Sequence, residues 1–262
     1  MEQVSHFMEE SRVLFDLVSK LDDGVFESST QFKNWTLNDI LVHLHFWNRG
    51  ADLSLNDPEA FSTMFEALFG ALKAGKLRDH ENTNVPERST ELVTLWFGFS
   101  QDMAQRWCDV DPKTRVKWAG PDMSVRSSIS ARQMEVWAHG QAVFDMAGED
   151  RPESDRIQNI VRLGVNAFGW SHRVHDLELP NVMPTVSLIS PSGANWVFGQ
   201  GDNTIEGSAV EFCQVVTQTR NIADTALSVS GSDAERWMEY AQCFAGPPNM
   251  PPAPGIRHKV NP

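Results

Sequence analysis

The sequence predicts an α-rich protein, in which a helical bundle is followed by a small α+β domain. From residue 3 to about residue 170, apolar residues recur every three or four positions, which is the period of an amphipathic helix. After Pro180, short apolar runs alternate with Gly, Ser and Asn, a pattern typical of strands and turns. The 262 residues, of which 41% are hydrophobic, are enough to build a large core.

Helical periodicity defines the N-terminal part. Helices are predicted at residues 3–22, 37–55, 59–74, 87–110, 128–148 and 153–170. Thr36 and Asp39 are expected to form a capping box at the start of the second helix, where each side chain accepts a hydrogen bond from the other's backbone N–H. Gly148 is expected to end the helix at 128–148. The polar run RDHENTNVPER, residues 78–88, is expected to be a solvated loop.

The C-terminal part mixes strands and helices. TVSLISP and NWVFGQ flank Ser192-Gly193 and are predicted to be two strands joined by a turn. Residues 207–220 are expected to be helical, 225–231 to form a strand and 233–244 a last helix. We therefore expect a bundle at 1–180, an α+β domain at 181–246 and a Pro-rich extended tail at 247–262.

Composition argues against two classes of partner. A formal charge of −13 would repel a phosphate backbone, so nucleic acid is not expected as a partner. The N-terminus is acidic where a signal peptide would be basic, and no apolar run approaches the roughly 18 residues that span a bilayer. Three widely spaced cysteines suggest no disulfide framework, so we expect reduced, mostly buried thiols in a cytoplasmic protein. A homodimer is left open.

A candidate metal site lies in RQMEVWAHG. Glu135 and His139 are four residues apart, so they project from one face of the predicted helix and could hold one ion. A catalytic metal needs about three protein ligands, and the best third candidate is His43, which shares an apolar helix face with Trp47. His45 points to roughly the opposite side. Two alternatives stay open: a buried histidine satisfied within the core, and a simple Glu–His hydrogen bond on the helix surface.

The same motifs resemble a known family. NWTLNDILVHL is similar to the second helix of the DinB-like metal-binding four-helix bundles, which include the mycothiol-dependent maleylpyruvate isomerases. RQMEVWAHG resembles their E-x-x-x-H-G signature, and GSAVEFCQVVTQTRNIADTAL and RWMEYAQCFAGPP resemble the C-terminal region of a metal-binding subfamily. The resemblance spans nearly the whole chain and implies a DinB-like bundle followed by the α+β domain.

Carried over residue by residue, the resemblance implies that His43, Glu135 and His139 bind a divalent ion, most simply Zn²⁺, at an open site. It also implies a metal-dependent isomerase, transferase or lyase that acts on a small substrate, with or without a low-molecular-weight thiol. Two positions depart from the family pattern, because Ala142 and Asn48 stand where many relatives carry Asp. A non-catalytic protein that binds metal or a ligand is therefore the alternative, and a purely structural bundle is a third.

Two arginines and two tryptophans are candidates for substrate contacts. Arg132 shares the face of Glu135 and could bind a substrate carboxylate, or merely pair with Glu135 at i+3. Arg220 matches an arginine that the related isomerases place near the active site, and it could equally be a cation at a helix C-terminus. Trp47 lies one turn beyond His43 and Trp137 lies between the two helix ligands, so both are candidates to line an apolar pocket, although tryptophan at helical spacing is usually core.

Overall fold

The computed structural model describes residues 1–260. The chain forms two compact units, one of residues Met1–Phe144 and one that begins at Asp145. The predicted α-rich fold with a small α+β part is confirmed. The domain limits expected near residues 180 and 246 were drawn from changes in composition, and they remain predictions.

The first unit is built from helices and one short hairpin. Its helices are α1 (Glu2–Val18), α2 (Leu37–Asn56), α3 (Pro58–Lys73), α4 (Leu77–Asn84), α5 (Ser89–Trp107) and α6 (Val125–Ala147), the last of which runs into the second unit. Between α5 and α6, β1 (Arg115–Val116) pairs antiparallel with β2 (Met123–Ser124). Helix α1 packs against α5, and α2 packs against α3, α4 and α5. Helix α2 is therefore central to this unit.

The start of α2 is fixed as the sequence predicts. The backbone N–H of Asp39 donates to Thr36 Oγ1 over 3.1 Å, and the backbone N–H of Thr36 donates to Asp39 Oδ2 over 2.9 Å. This capping box satisfies N–H groups that the first helical turn cannot pair internally. Because the box fixes the residue at which α2 begins, it also helps to fix the direction in which the His43 side chain projects from the helix.

The prediction of a solvated loop at residues 78–88 is wrong. Residues Leu77–Asn84 form α4, and Glu81 in its middle is fully buried. After Leu77 the helix is polar throughout, so periodicity alone does not mark a buried face. Its buried position is stabilised instead by tertiary partners on α2, namely His43 and Trp47, which both hydrogen-bond to Glu81.

The second unit combines short helices with a four-stranded sheet. Its elements are a 3₁₀ turn (Asp155–Ile157), α7 (Gln158–Asn166), α8 (Phe168–Val174), β3 (Pro184–Ile189), β4 (Asn195–Phe198), β5 (Gly201–Ser208), α9 (Ala209–Val216), β6 (Ser228–Ser230) and α10 (Ser232–Tyr240). The strand order is β4-β3-β5-β6, with β3 parallel to β5 and the other two pairs antiparallel. Helices α9 and α10 pack on this sheet.

Two elements of the second unit differ from the sequence prediction. The helix expected at 153–170 is divided into the 3₁₀ turn, α7 and the start of α8. Strand β5 was not predicted, because GDNTIEGS offers one fully buried apolar residue, Ile205, where a strand usually alternates several. Pairing with both β3 and β6 compensates for that weak local preference.

The Pro-rich segment lies against the second unit without forming a helix or strand between residues 247 and 260. Asn221 donates to the Pro252 carbonyl over 2.8 Å, and the backbone N–H of Gly255 donates to Asp224. Within residues 1–260, no helix is both long enough and apolar enough to cross a membrane. The three cysteines are free thiols, but the expectation that most are buried is wrong, since only Cys213 is fully buried and Cys108 is exposed.

Candidate metal centre

Three potential ligands converge in the first unit. His43 from α2 and Glu135 and His139 from α6 each offer one ligand atom, and these atoms lie within 4.8 Å of one another. His139 Nε2 lies 3.1 Å from Glu135 Oε2, and His43 Nε2 lies 3.5 Å from the same oxygen. The i,i+4 spacing on α6 and the central position of α2 thus bring together the set expected from the sequence.

A second carboxylate fixes the orientation of His43. His43 Nδ1 lies 2.8 Å from Oε1 of Glu81, which also accepts a hydrogen bond from Trp47 Nε1 over 2.9 Å. Arg78 pairs with the other oxygen of Glu81. Because Glu81 is buried and ionised, His43 donates its Nδ1 proton to it, which leaves the Nε2 lone pair facing Glu135. A carboxylate behind a ligating histidine is a common arrangement at metal centres.

The donor set fits a divalent ion. With Nδ1–H directed at Glu81, Nε2 of His43 is an acceptor that faces the Glu135 carboxylate, also an acceptor, at 3.5 Å. Two acceptors in this position repel each other unless a cation or a proton lies between them. Two imidazole nitrogens and one carboxylate oxygen are ligands that Zn²⁺ prefers.

The protonation preferences of Glu135 and His139 favour ligation, whereas a metal must displace a proton from His43. Burial raises the pKa of Glu135, but hydrogen bonds from His139 and His43 outweigh this and hold it well below the usual value. Burial lowers the pKa of His139, so its imidazole stays neutral. Burial also lowers the pKa of His43, yet the charge of Glu81 and the hydrogen bonds to both carboxylates raise it overall. An ionised carboxylate and a neutral imidazole are the forms that bind metal.

Aromatic rings cover the histidines. Trp35 stacks on His139 with ring centroids 5.5 Å apart and an interplanar angle of 3°, and it meets the edge of His43 at 5.2 Å. Phe32 contacts His139 at 4.9 Å, and Trp47 contacts His43 at 6.0 Å. These rings exclude water from the imidazoles and limit their motion. Of the two tryptophans proposed as substrate contacts, Trp47 is half-buried beside the site.

Trp137, the other proposed contact, is fully buried. This position agrees with the alternative that tryptophan at helical spacing packs the core, and its contact with a substrate remains a prediction.

Arg132 is buried beside Glu135 with few partners. Its Nη2 lies 3.9 Å from Glu135 Oε1, an ion pair that is too long for a hydrogen bond. Its Nε and Nη1 atoms have no hydrogen-bond partner among residues 1–260, although the residue is only 4% exposed. The guanidinium carbon lies 5.1 Å from the ring centroid of Trp118, which belongs to the connection between β1 and β2. Burial lowers the pKa of Arg132, and Glu135 opposes that shift.

Arg220 belongs to the second unit and is held by Asp145. Its Nη1 and Nη2 donate to the two oxygens of that carboxylate over 2.8 Å and 2.6 Å. Nη1 also donates to the carbonyl of Thr219. A paired guanidinium four residues after the end of α9 agrees with the alternative of a cation near a helix C-terminus, and its expected contact with a substrate remains a prediction.

The two departures from the family pattern lie outside the ligand set. Asn48 is buried and its amide donates to Ser100 Oγ over 3.3 Å. Ala142 is buried on α6, one turn beyond His139. Neither contributes a ligand atom to the convergent group, so the three ligands are complete without a carboxylate at either position.

Sequence reasoning missed Glu81 and Trp118. Both lie in segments without apolar periodicity, and each reaches the site through a tertiary contact, Glu81 with His43 and Trp118 with Arg132. The i,i+3 pair of Arg78 and Glu81 is a weak signal of a helix, but it does not reveal that the carboxylate faces inward.

Comparisons with known proteins agree with this fold. The family model of the mycothiol maleylpyruvate isomerase N-terminal domain matches residues 7–144. Two uncharacterized proteins, from two strains of Mycobacterium tuberculosis, are 33% identical over 247 residues, which is 94% of this chain and 96% of each relative. The crystal structure of the mycothiol-dependent maleylpyruvate isomerase matches with a TM-score of 0.54 at 15% identity, over 82% of this chain and 87% of that one. A histidine-to-alanine mutant of that enzyme matches with a TM-score of 0.53 at 16% identity.

The region matched by the family model contains the whole candidate centre. His43, Glu135 and His139 all fall within residues 7–144, as do Glu81 and Arg132. At 15% identity the likeness to the solved enzyme concerns the fold alone. The family model, by contrast, covers more than half of the 262 residues, and the chain therefore belongs to the family of the mycothiol maleylpyruvate isomerase N-terminal domain.

Proposed function

We propose that this protein is a metal-dependent enzyme that acts on a small organic substrate with the help of a low-molecular-weight thiol, most closely as an isomerase. The observation that carries the proposal is the convergence of His43, Glu135 and His139, whose ligand atoms lie within 4.8 Å of one another. The structurally similar enzyme is a mycothiol-dependent maleylpyruvate isomerase, which favours an isomerase over a transferase or a lyase.

Zn²⁺ is the ion that this set fits best, and with three protein ligands it would act as a Lewis acid that polarises a substrate oxygen and lowers the pKa of a thiol. The surrounding residues prepare the site for that ion. Glu81 holds the Nδ1 proton of His43, so that Nε2 is available as a ligand. Trp35 and Phe32 cover His139 and exclude water from its ring. Glu135 uses Oε2 toward the histidines while Oε1 faces Arg132.

Elemental analysis tests the metal part of the proposal. Protein purified without a nickel column should contain about one equivalent of divalent metal per chain, as a single site of three ligands requires. The Glu135→Ala and His139→Ala variants should lose most of it, because two remaining ligands bind a metal weakly. Metal-free wild-type protein, or undiminished metal in both variants, would contradict the assignment.

A turnover assay tests the enzymatic part. Isomerisation of maleylpyruvate, measured with and without mycothiol, should require both the thiol and the intact ligand set, so that Glu135→Ala is inactive. A wild-type protein that retains its metal and shows no thiol-dependent turnover would exclude this reaction. The non-catalytic binding protein would then be favoured, an alternative that Ala142 and Asn48 support because both replace carboxylates common in relatives.

The remaining expectations concern contacts and context. Catalytic roles for Arg132 and Arg220, and substrate contacts for Trp47, Trp137 and Arg220, are part of this proposal. The cytoplasmic location and the homodimer likewise remain predictions.

A further inference from the structure

Arg132 is a buried cation that the chain itself leaves largely unpaired. The residue is 4% exposed, and its Nε and Nη1 atoms have no hydrogen-bond partner in the described part of the chain. Its ion pair with Glu135 spans 3.9 Å, beyond hydrogen-bonding distance. Burying charged N–H groups without acceptors is costly, so such an arrangement calls for a partner that binds there.

Other arginines of the first unit are paired as structural arginines usually are. Arg78 pairs with both Asp39 and Glu81. Arg106 donates to the two oxygens of Asp52 over 3.2 Å and 2.8 Å, and its guanidinium carbon lies 5.5 Å from the Phe99 ring centroid. Both stack on an aromatic ring, as Arg132 does, but they differ from it in having hydrogen-bonded carboxylates. Of these three arginines, only Arg132 has buried N–H groups without an acceptor in the part of the chain that the structure describes.

Arg132 is adjacent to the metal ligands. The Glu135 carboxylate lies between Arg132 and the two histidines, since its Oε1 faces Arg132 and its Oε2 faces His43 and His139. Any acceptor that binds the free N–H groups of Arg132 therefore lies beside the metal centre. The Glu135 charge repels an anion at this point until a divalent cation neutralises it.

The surroundings of Arg132 indicate the shape of the ligand. Trp118 lies beneath the guanidinium, and its ring centroid is 5.6 Å from that of Trp47 and 6.2 Å from that of Phe61. The rings of Phe61 and Trp118 are stacked and nearly parallel, with an interplanar angle of 17°. These aromatic rings beside the Arg132 guanidinium can bind a planar apolar molecule that bears an anionic group. Trp118 is half-buried and lies on the connection between β1 and β2.

We propose that Arg132 is a substrate-binding residue that accepts the carboxylate of a small organic acid, with the planar apolar body of the acid against Trp118 and Trp47. The proposal rests on the proposed metal-dependent function, because the bound cation offsets the charge of Glu135. It names the substrate class of that site: carboxylic acids with a flat apolar body.

Benzoate is the probe, and benzamide is its neutral counterpart of similar shape. Calorimetric titration of zinc-loaded wild-type protein should give benzoate binding at least about 10-fold tighter than benzamide binding, as expected for charge-assisted hydrogen bonds. Arg132→Met should weaken benzoate binding about 10-fold or more while zinc content is retained. Arg132→Lys keeps the charge without the planar donor array and should lie between the two. Arg106→Met, which removes a paired and ring-stacked arginine outside the site, should bind benzoate like the wild type.

Zinc content measured on the same samples separates this inference from the proposed function. If zinc binds but benzoate does not, or benzoate binds equally to wild type and Arg132→Met, the inference is overturned and the metal centre stands. If no zinc binds, the metal proposal fails and the inference that rests on it fails with it, which distinguishes this outcome from zinc binding without benzoate binding. If Arg132→Met does not fold, the benzoate-to-benzamide ratio of the wild type and the affinity of Arg132→Lys decide it.

Discussion

The surroundings of Arg132 in the first unit and of Arg220 in the second differ in how fully each guanidinium is paired. Arg220 donates to both oxygens of Asp145 at 2.6 Å and 2.8 Å, and to a backbone carbonyl. Arg132 has one carboxylate at 3.9 Å and two nitrogens without a partner. Both side chains are mostly buried, so water does not explain the difference.

The difference separates an arginine that is paired within the chain from one whose N–H groups lack acceptors. A buried cation whose hydrogen bonds are all made within the chain stabilises the fold, and its removal leaves the opposite charge without compensation. A buried cation that lacks acceptors costs folding free energy, which a ligand can recover when it binds. We therefore expect substitutions at the two sites to act on different measured quantities.

The largest expected effect is on stability, from Arg220→Ala. The Asp145 carboxylate is 5% exposed and would lose the Arg220 guanidinium, which for a buried pair costs up to about 3–5 kcal/mol of unfolding free energy, reduced by the charge of Arg257 nearby. Urea denaturation followed by circular dichroism measures this loss, and zinc content should be unchanged. Arg106→Ala is the matched control, since Arg106 pairs with Asp52 but is 40% exposed, and its loss should cost at most about 1 kcal/mol.

Equal stability losses for the two variants would break the comparison, because burial would then not distinguish Arg220 from a surface arginine. A loss of turnover in Arg220→Ala at unchanged stability and zinc content would instead support the role near the active site that the family resemblance implies.

The second largest expected effect is on zinc affinity, from substitution of Glu81. This carboxylate is fully paired, as Arg220 is, but one of its partners is the metal ligand His43. Glu81→Ala should therefore weaken zinc binding about 10–100-fold, the usual range for a carboxylate behind a ligating histidine. Glu81→Gln keeps an acceptor for Nδ1 and should lose less. Competition with a chromophoric zinc chelator measures both affinities.

Asp39→Asn is the control for Glu81, because Asp39 also pairs with Arg78 yet makes no contact with His43 in the structure. It should destabilise the start of α2 without changing zinc affinity. If Asp39→Asn weakened zinc binding as much as Glu81→Ala, the effect would come from Arg78 or from the helix start rather than from the orientation of His43.

Local signals account for what the sequence predicted correctly. The capping box of Thr36 and Asp39, the i,i+4 pair of Glu135 and His139, and the apolar face that carries His43 all depend on residues close in the chain. Because helix geometry is regular, these spacings fix directions before any tertiary structure is known. The family resemblance then assigned His43 of α2 to the same metal site as Glu135 and His139 of α6.

The parts that were missed depend on contacts between distant segments. Glu81 is buried because His43 and Trp47 donate to it from 38 and 34 residues away, and β5 is a strand because β3 and β6 pair with it. The lack of acceptors at Arg132 cannot be read from the sequence, since the i+3 spacing alone predicts that Glu135 provides one. Only the 3.9 Å separation reveals that the pair is loose.

The smallest effect tests whether a missing partner alone marks a binding site. His45 is 3% exposed and its Nδ1 has no partner, but its ring packs against Phe99 at 5.2 Å, and it is not among the three convergent ligands. Burial and the charge of Arg49 lower its pKa from 6.5 to about 4. As the pH falls below 6.5, the unfolded chain takes up this proton before the folded protein does, so stability is complete above that value and is lost down to about pH 4. Between pH 7 and pH 5 the loss of stability due to His45 should be about 2 kcal/mol.

His45→Gln should lack that part of the pH dependence. Both proteins are unfolded in urea without metal, because zinc release on acidification adds a pH dependence of its own. Zinc and benzoate affinities of the variant at pH 7 should match those of the wild type. A weaker affinity for either ligand would mean that one unpartnered buried nitrogen suffices to mark a site, and the distinction drawn between Arg132 and Arg220 would no longer identify binding residues.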